Sequence, residues 1–472
     1  MLIDDILLEI FEFCRIIHWD YPYWRPRPVW NWWILVRVCR RWRQIIFDSP
    51  SRLDLRILCK YGTPVRKNLG IWPAFPIVLQ YCSPRSLNFK DEDNAIAALE
   101  HRDRVKYIRL YTTGSQLGRM AAVMQGPFPV LSYLHLRSSY EDETVLTAGF
   151  LGGSAPHLQE IILDRISFPA LPTLLSSTSD LVTLNLFDIA MLGYILPERM
   201  VDCLAALPKL ELFGIRFQLF PPTSDRMRPP LATRPVLPAL TTFSFQGAFE
   251  YLEDLVAQID GPQLERVSIN YLDQPNDFQV MQLSEFIDRS IGYERTPFRR
   301  AHVRFQFDRV TFTLSREYPH ESYLGCDRRS IATTISPNVF NWQMSDAALV
   351  LGQFSAALRT VIHLELKAEL YEDDQSDAPY DIELLRLLRQ FPAMQTLYVS
   401  PELAAPVYLA LEDITAEMVT EMLPSLGLIC LEGELTSSLE KIVAIRRFSD
   451  HPITVVETRD EFNERLESYL ST

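Results

Sequence analysis

The sequence lacks any Cys-x-x-Cys pair, although it holds seven cysteines: Cys14, Cys39, Cys59, Cys82, Cys203, Cys326 and Cys430. An odd, scattered set fits a reducing compartment, with thiols used mostly as small hydrophobes, and its spacing argues against a zinc site. There is no uninterrupted run of 18 apolar residues. Asp4 and Asp5 stand where a secretory signal carries positive charge, and Glu9, Glu12 and Arg15 break the first apolar stretch. A cytoplasmic or nuclear protein with no membrane partner is expected. Also lacking are HExxH, GxSxG, GxxxxGK[ST] and a glycine-rich phosphate loop after a strand. The eight histidines are dispersed, and Leu151-Gly-Gly-Ser154 reads as a turn rather than an anion nest. No enzymatic activity, cofactor or metal is expected.

Positive charge is also scarce outside the N-terminus. The net charge is -14, yet residues 1–70 hold twelve Lys/Arg against seven Asp/Glu, so the remaining 402 residues carry -19. An acidic body argues against nucleic acid as the partner, because phosphate binding needs clustered cations. Apolar residues at 47% and charged residues at 22% are ordinary for a folded chain.

What is present begins with two helical patterns. Ile6, Leu7, Ile10, Phe11 and Cys14 form an apolar stripe, with Asp4 or Asp5 placed to cap the helix. Leu35, Val38, Cys39, Trp42, Ile45 and Ile46 follow a 3.6-residue period, predicting a helix over 35–47 that Asp48-Ser-Pro50 stops. Between them, five of the eight tryptophans and three prolines lie in 18–33, which predicts a loop whose rings form a local mini-core or a partner face.

Leu2-Ile-Asp-Asp-Ile-Leu-Leu-Glu-Ile-Phe11, then Leu35-Val-Arg-Val-Cys-Arg-Arg-Trp-Arg43 and Ile45-Ile-Phe47, resemble an F-box, more narrowly the F-box proteins abundant in basidiomycete fungi. Ser49–Leu55, Tyr61–Arg66 and Ile71-Trp-Pro73 continue the resemblance, which covers about 75 residues. Ile3 stands where that family usually has proline, and the aromatic loop is longer than in a minimal F-box. The resemblance implies a three-helix module that docks on the Skp-type adaptor of a cullin–RING ubiquitin ligase. The adaptor-docking or core positions it implies are Leu2, Ile6, Leu7, Ile10, Phe11, Leu35, Val38, Cys39, Trp42 and Ile46.

From about residue 100 one pattern returns: apolar, two variable, apolar, one variable, apolar. The copies are Val105-Ile108-Leu110, Leu131-Leu134-Leu136, Leu158-Ile161-Leu163, Leu181-Leu184-Leu186, Leu210-Phe213-Ile215, Leu240-Phe243-Phe245, Leu264-Val267-Ile269, Val361-Leu364-Leu366, Met394-Leu397-Val399 and Leu426-Ile429-Leu431. First anchors from 105 to 264 lie 26, 27, 23, 29, 30 and 24 residues apart, and the last three 33 and 32. Spacing of this order is that of leucine-rich repeats. Proline precedes the first anchor by two residues at Pro129, Pro156, Pro208, Pro238, Pro262, Pro392 and Pro424, ending one helix before the next strand.

The fold expected is α/β: an N-terminal three-helix F-box-like module (1–55), a linker and cap (56–100), irregular leucine-rich repeats forming a horseshoe solenoid (101–433) and a C-terminal cap (434–472). Within 298–360 one or two irregular repeats or a hairpin-like insertion are expected, and 221–235 and 367–380 read as surface loops. Tyr133, His135, Glu160, Ile162, Thr183, Asn185, Thr242, Ser244, Ser268 and Lys367 stand between anchors and should point away from the core, as should His363, Glu365 and Asp164. They are the candidate contacts to an unknown protein target. The function expected is substrate recognition for a Skp/cullin/F-box-type ligase, or else a repeat scaffold with a vestigial F-box.

Overall fold

The computed structural model describes residues 3–13, 16–20, 25–29, 32–82, 87–139, 144–218, 234–274, 279–291, 297–306, 309–316, 330–337, 344–369, 381–412, 423–431, 453–456 and 458–470. Leu2, most of the 221–235 loop, residues 370–380 and residues 434–452 lie outside them. Two compact units divide the chain, 1–181 and 182–472.

The first unit opens with α1 (Asp4–Phe13), a two-stranded antiparallel pair β1 (Ile16–Asp20) and β2 (Arg25–Val29), the one-turn α2 (Trp32–Leu35) and α3 (Arg40–Asp48). There follow β3 (Ile57–Cys59), α4 (Val65–Ile71), β4 (Ile77–Cys82), α5 (Phe89–Leu99), β5 (Val105–Thr112), α6 (Gly114–Val123), β6 (Tyr133–Ser138), β7 (Thr144–Val145), β8 (Glu160–Asp164), β9 (Ile166–Ser167) and α7 (Leu171–Leu175). Strands β3, β4, β5, β6 and β8 pair in parallel in that order. Two of these strands precede the first copy of the repeat pattern visible in the sequence.

The N-terminal helices differ from expectation in three ways. The helix predicted over 35–47 is broken at Val36–Cys39. Cys39 is extended (φ -156°, ψ 170°), and its Sγ accepts the Trp42 amide at 3.4 Å, starting α3 afresh. Val36 is therefore buried in place of Val38 and Cys39, which are exposed. Asp4 and Asp5 lie inside the first turn of α1, where their negative charge favours the positive end of the helix dipole rather than capping it. The expected loop contains a hairpin, with Trp19 opposite Pro26 and Ile17 opposite Pro28. Trp32 of this segment forms a local aromatic core: buried, it meets Phe47, Trp72 and Phe75 edge-on at 6.1, 5.1 and 5.5 Å, and its indole donates to Arg56 O at 2.7 Å.

The second unit comprises β10 (Thr183–Ile189), α8 (Pro197–Ala205), β11 (Leu212–Phe217), β12 (Thr242–Gly247), α9 (Phe249–Val256), β13 (Arg266–Gln274), α10 (Met281–Ile291), β14 (Arg300–Gln306), β15 (Arg309–Ser315) and β16 (Ser330–Pro337). It continues with α11 (Met344–Gln353), α12 (Ser355–Leu358), β17 (His363–Glu369), α13 (Asp381–Leu388), β18 (Thr396–Val399), α14 (Pro401–Glu412), β19 (Leu428–Leu431), β20 (Thr454–Val456) and α15 (Arg459–Leu470). The sheet order is β10-β11-β12-β13-β16-β15-β14-β17-β18-β19-β20. Among the described residues every pairing within this order is parallel except those of β15. The insertion at 298–360 is thus a three-stranded meander run backwards. Its outer strands, β16 and β14, keep the parallel direction towards β13 and β17.

Strands alternating with helices give each unit an α/β repeat architecture of leucine-rich-repeat type. The anchors explain why. All thirty anchor residues of the ten copies are buried, none more than 5% exposed. Side chains two apart on a strand share a face, so the last two anchors of each copy point to the helices. Side chains also link one repeat to the next. Asn94 of α5 accepts the Val65 amide at the start of α4, at 3.2 Å. Gln116 of α6 accepts the Leu87 amide at 2.9 Å, and Glu253 of α9 accepts the Gln282 and Leu283 amides of α10 at 2.7 and 3.0 Å. The Val65, Gln282 and Leu283 amides lie in first turns, whose amides have no partner within their own helix, and Leu87 leads into the Asn88 cap of α5.

Phe243 packs between Phe213 and Phe286, at 5.6 and 6.1 Å. Phe243→Ala should cost about 3–5 kcal/mol, whereas Ser244→Ala on the opposite face should change stability by no more than about 0.5 kcal/mol. Amide hydrogen exchange across β11–β13 is the measurement, since repeat arrays unfold locally.

Candidate binding face

The registers align the residues between the anchors into transverse rows on the face away from the helices. In the second unit one row runs Asn185, Gly214, Ser244, Ser268, Ala332, Thr313, His302, Glu365, Tyr398, Cys430, Val456. On one side lies the row Thr183, Leu212, Thr242, Arg266, Ser330, Ser315, Arg300, His363, Thr396. On the other stand Arg216, Gln246, Asn270, Thr334, Thr311, Arg304 and Lys367.

The far end of this face is covered. Phe462 and Leu466 of α15 pack with Tyr398, Leu428, Cys430 and Val456 in one buried cluster, with the Phe462 and Tyr398 rings 5.8 Å apart. Leu428 and Cys430 alternate with the anchors Ile429 and Leu431, so α15 lies on the side opposite the other helices. Arg459, at its first turn, sits over the Tyr398 ring at 5.0 Å and reaches Glu365 Oε1 at 3.2 Å. Lys367 Nζ meets the same oxygen at 2.6 Å. Among the described residues, the row left uncovered by α15 therefore runs from Asn185 to Glu365.

Electrostatics change along it. Burial pushes His302 down to about 4, and Lys367, Arg304 and Arg459 add to that against the pull of Glu365. Burial likewise lowers His363 to about 4, helped by Arg300 and Arg299. Burial opposes ionisation of Glu365, but His302, Lys367 and Arg459 outweigh it and hold the carboxyl below its ordinary value. His363 faces away from the anchors as expected, yet it is buried rather than exposed: it lies between Arg300 and Thr396, whose Oγ1 is 2.7 Å from Nδ1.

In the first unit the corresponding rows are Tyr107, Tyr133, Glu160 and Arg109, His135, Ile162, followed by Arg137 beside Asp164. Tyr107 and Tyr133 stack at 4.1 Å, and Arg137 bonds Asp164 at 3.1 Å while covering the Tyr111 ring at 4.5 Å.

All ten expected contacts thus lie, each within its own unit, on the side of the strands away from the last two anchors. Tyr133, Ile162, Thr183 and Asn185 are buried there; His135, Glu160, Thr242, Ser244 and Lys367 are half-buried, and Ser268 is exposed. Sequence reasoning missed Gly214, Arg266, Arg300 and His302. Gly214 and Arg266 occupy variable positions beside Phe213 and Val267 and could have been read there; Arg300 and His302 alternate with Ala301 and Val303.

The docking positions fall differently. In α1, Leu7 and Phe11 are buried, whereas Ile6, Ile10 and Phe13, with Ile3 just before the helix, are exposed along one stripe. Val38 and Cys39 are exposed, Leu35 and Trp42 half-buried, and Ile46 buried. Phe11 meets the Trp42 ring edge-on at 4.9 Å, which closes α1 onto α3.

Among the described residues no group of three or more His, Cys, Asp or Glu could hold a metal, and no helix is long and apolar enough to cross a membrane. No family model matches the chain, and no curated protein matches it. Among solved structures it is similar to the leucine-rich repeat-containing protein LegL7 from Legionella pneumophila, at 13% identity and a TM-score of 0.27. That match covers 83% of this chain and 97% of the other. It is also similar to the TLR13 chain of a TLR13–ssRNA13 complex, at 12% identity and a TM-score of 0.29, over 80% of this chain but only 45% of that one. Superpositions this loose carry no argument; the repeat architecture rests on the strands and registers of the chain itself.

Both histidines are neutral in the fold and held near 4, against an ordinary value of 6.5. Their stabilising contribution is complete above pH 6.5 and is lost as pH falls towards 4, where the unfolded chain takes up protons more readily. Urea midpoints should therefore drop across that window. His302→Gln/His363→Gln should flatten the drop, and an unchanged slope would remove the histidines as its source.

Proposed function

We propose that this chain is a non-catalytic protein-interaction scaffold whose repeats bind a partner through the face away from their helices. One observation carries this reading: small and polar side chains stand in register from Asn185 to Glu365, with the apolar anchors turned to the other side. A core needs no such surface, and a repeat array offers many independent positions for recognition. A photo-crosslinking amino acid in place of exposed Ser268 should capture a protein partner in cells. The same group in place of Glu285, on α10, should not. Equal capture at both positions, or at neither, would sink the reading.

A second reading is that the scaffold is the substrate-recognition subunit of a Skp/cullin/F-box-type E3 ubiquitin ligase, with residues 1–55 on the Skp-type adaptor. The observation that favours it is the exposed apolar stripe Ile3, Ile6, Ile10 and Phe13, joined by exposed Trp33, Ile34 and Val38. Exposed apolar side chains gathered in one short segment mark a contact surface more often than chance. On this reading Ile6, Ile10 and Val38 touch the adaptor, while Leu7, Phe11 and Ile46 hold the helices. Ile6→Asp/Ile10→Asp should abolish binding to purified adaptor in calorimetry while leaving the circular dichroism unchanged. Absence of binding by the folded wild-type chain would leave the scaffold reading alone.

A further inference from the structure

The floor of the second unit's face is unusually low. From β11 to β15 the row carries Gly214, Ser244, Ser268, Ala332 and Thr313, none longer than threonine. Gly214 is required for it: a Cβ there would stand 2.3 Å from Asn185 Oδ1 and 2.7 Å from Ser244 Oγ. The Asn185 side chain leans into that notch. It is 2% exposed, and its Oδ1 is buried with no hydrogen-bond partner. Buried amide oxygens are nearly always paired, so this one points to an absent donor. Asn270 Oδ1 and His302 Nε2, on the same face, are also buried without a hydrogen-bond partner.

The flanks supply charge. The three rows hold Arg216, Arg266, Arg300, Arg304 and Lys367 against a single carboxylate, Glu365. Asp188 and Glu369 lie beside them, bonded to Arg216 at 2.7 Å and Arg304 at 3.5 Å. Among the described residues these five cations stand against three acids, on a chain whose net charge is -14. Strand spacing of about 4.8 Å makes the six-strand row from Asn185 to Thr313 about 24 Å long, the span of about seven extended residues. No aromatic side chain stands on that row, so it offers no platform on which nucleobases could stack.

We infer that this trough binds an acidic peptide segment in extended conformation, laid across the strands from β10 towards β15. The low floor admits the peptide backbone. Asn185 and the Ser244 and Ser268 hydroxyls supply hydrogen-bonding groups to it, and Arg266 and Arg216, on opposite flanks, meet its carboxylates. The inference rests on the scaffold reading above and adds the chemistry of the occupant.

The test is fluorescence anisotropy of the full chain with three labelled decapeptides of alternating Gly with Asp, Ser or Lys, plus a labelled ten-nucleotide uridine strand. The Asp peptide should bind, weakening as salt rises, and the Ser and Lys peptides at least tenfold less. Ser268→Glu should weaken Asp-peptide binding at least tenfold, and Ser268→Lys should not. Gly214→Ala, which displaces the Asn185 amide, should also weaken it, with Ser244→Ala as a milder probe should Gly214→Ala fail to fold. No binding of the Asp peptide, equal binding of all three, equal loss from both Ser268 variants, or tighter binding of the uridine strand overturns the inference. Crosslinking at Ser268 remains a separate readout: a captured partner with no acidic-peptide binding removes this inference and spares the scaffold.

Discussion

One strand of this protein cannot satisfy itself. Its two backbone edges need partners, and its short apolar face is too small to exclude water alone. The neighbouring repeat supplies both, through a parallel ladder and a layer of anchors such as Leu184, Phe213, Phe243 and Val267 packed side by side. The amide links from Asn94, Gln116 and Glu253 extend the same dependence to the helices. Burial pushes the Glu253 carboxyl up to about 7 even though two backbone amides favour its ionised form. Desolvation therefore outweighs the hydrogen bonds there, as expected for a group enclosed between two helices.

The meander obeys the same constraint. A strand inserted in the opposite direction would disrupt a parallel ladder, but β15 is flanked by β14 and β16, which both present the parallel direction outward. The cost falls on the side chains. The trio brings His302 beside Glu365 and Arg300 beside His363, in the rows that carry Ser244 and Thr242 on β12. The pairing of half-buried His302 with Glu365 and of buried His363 with Arg300 follows from that register.

Much of this was legible from the chain alone. The ten anchor triplets are visible because an apolar residue recurs at three fixed offsets, and proline two residues earlier marks the helix end in seven of them. Strand β16, Ser-Ile-Ala-Thr-Thr-Ile-Ser-Pro, was not, because Thr333 is buried and the stretch shows no apolar alternation. Nor was the break before α3: the apolar period continues through 35–39, but an extended backbone at Cys39 overrides it. Strands β3 and β4 escaped notice because Cys59 and Tyr81 fill anchor positions without resembling leucine. The face was predictable by parity, whereas its height was not. That Thr183 and Asn185 are buried and Ser268 is exposed depends on neighbours set by register, which the sequence does not state.

A C-terminal cap is expected to close the open edge of a sheet, and β20 takes that position beside β19. Helix α15 instead covers the apolar end of the polar face, where Tyr398, Leu428, Cys430 and Val456 would otherwise meet water. The face left uncovered therefore holds few apolar groups to bury. A partner bound there gains little from area, so its selectivity must come from charge placement and satisfied hydrogen bonds. Such contacts set encounter rate and register more than raw affinity, and weaken with salt. The exposed isoleucines of α1 make the opposite kind of surface, apolar and without that electrostatic selection. Two surfaces of such different chemistry suit two different partners better than two copies of one.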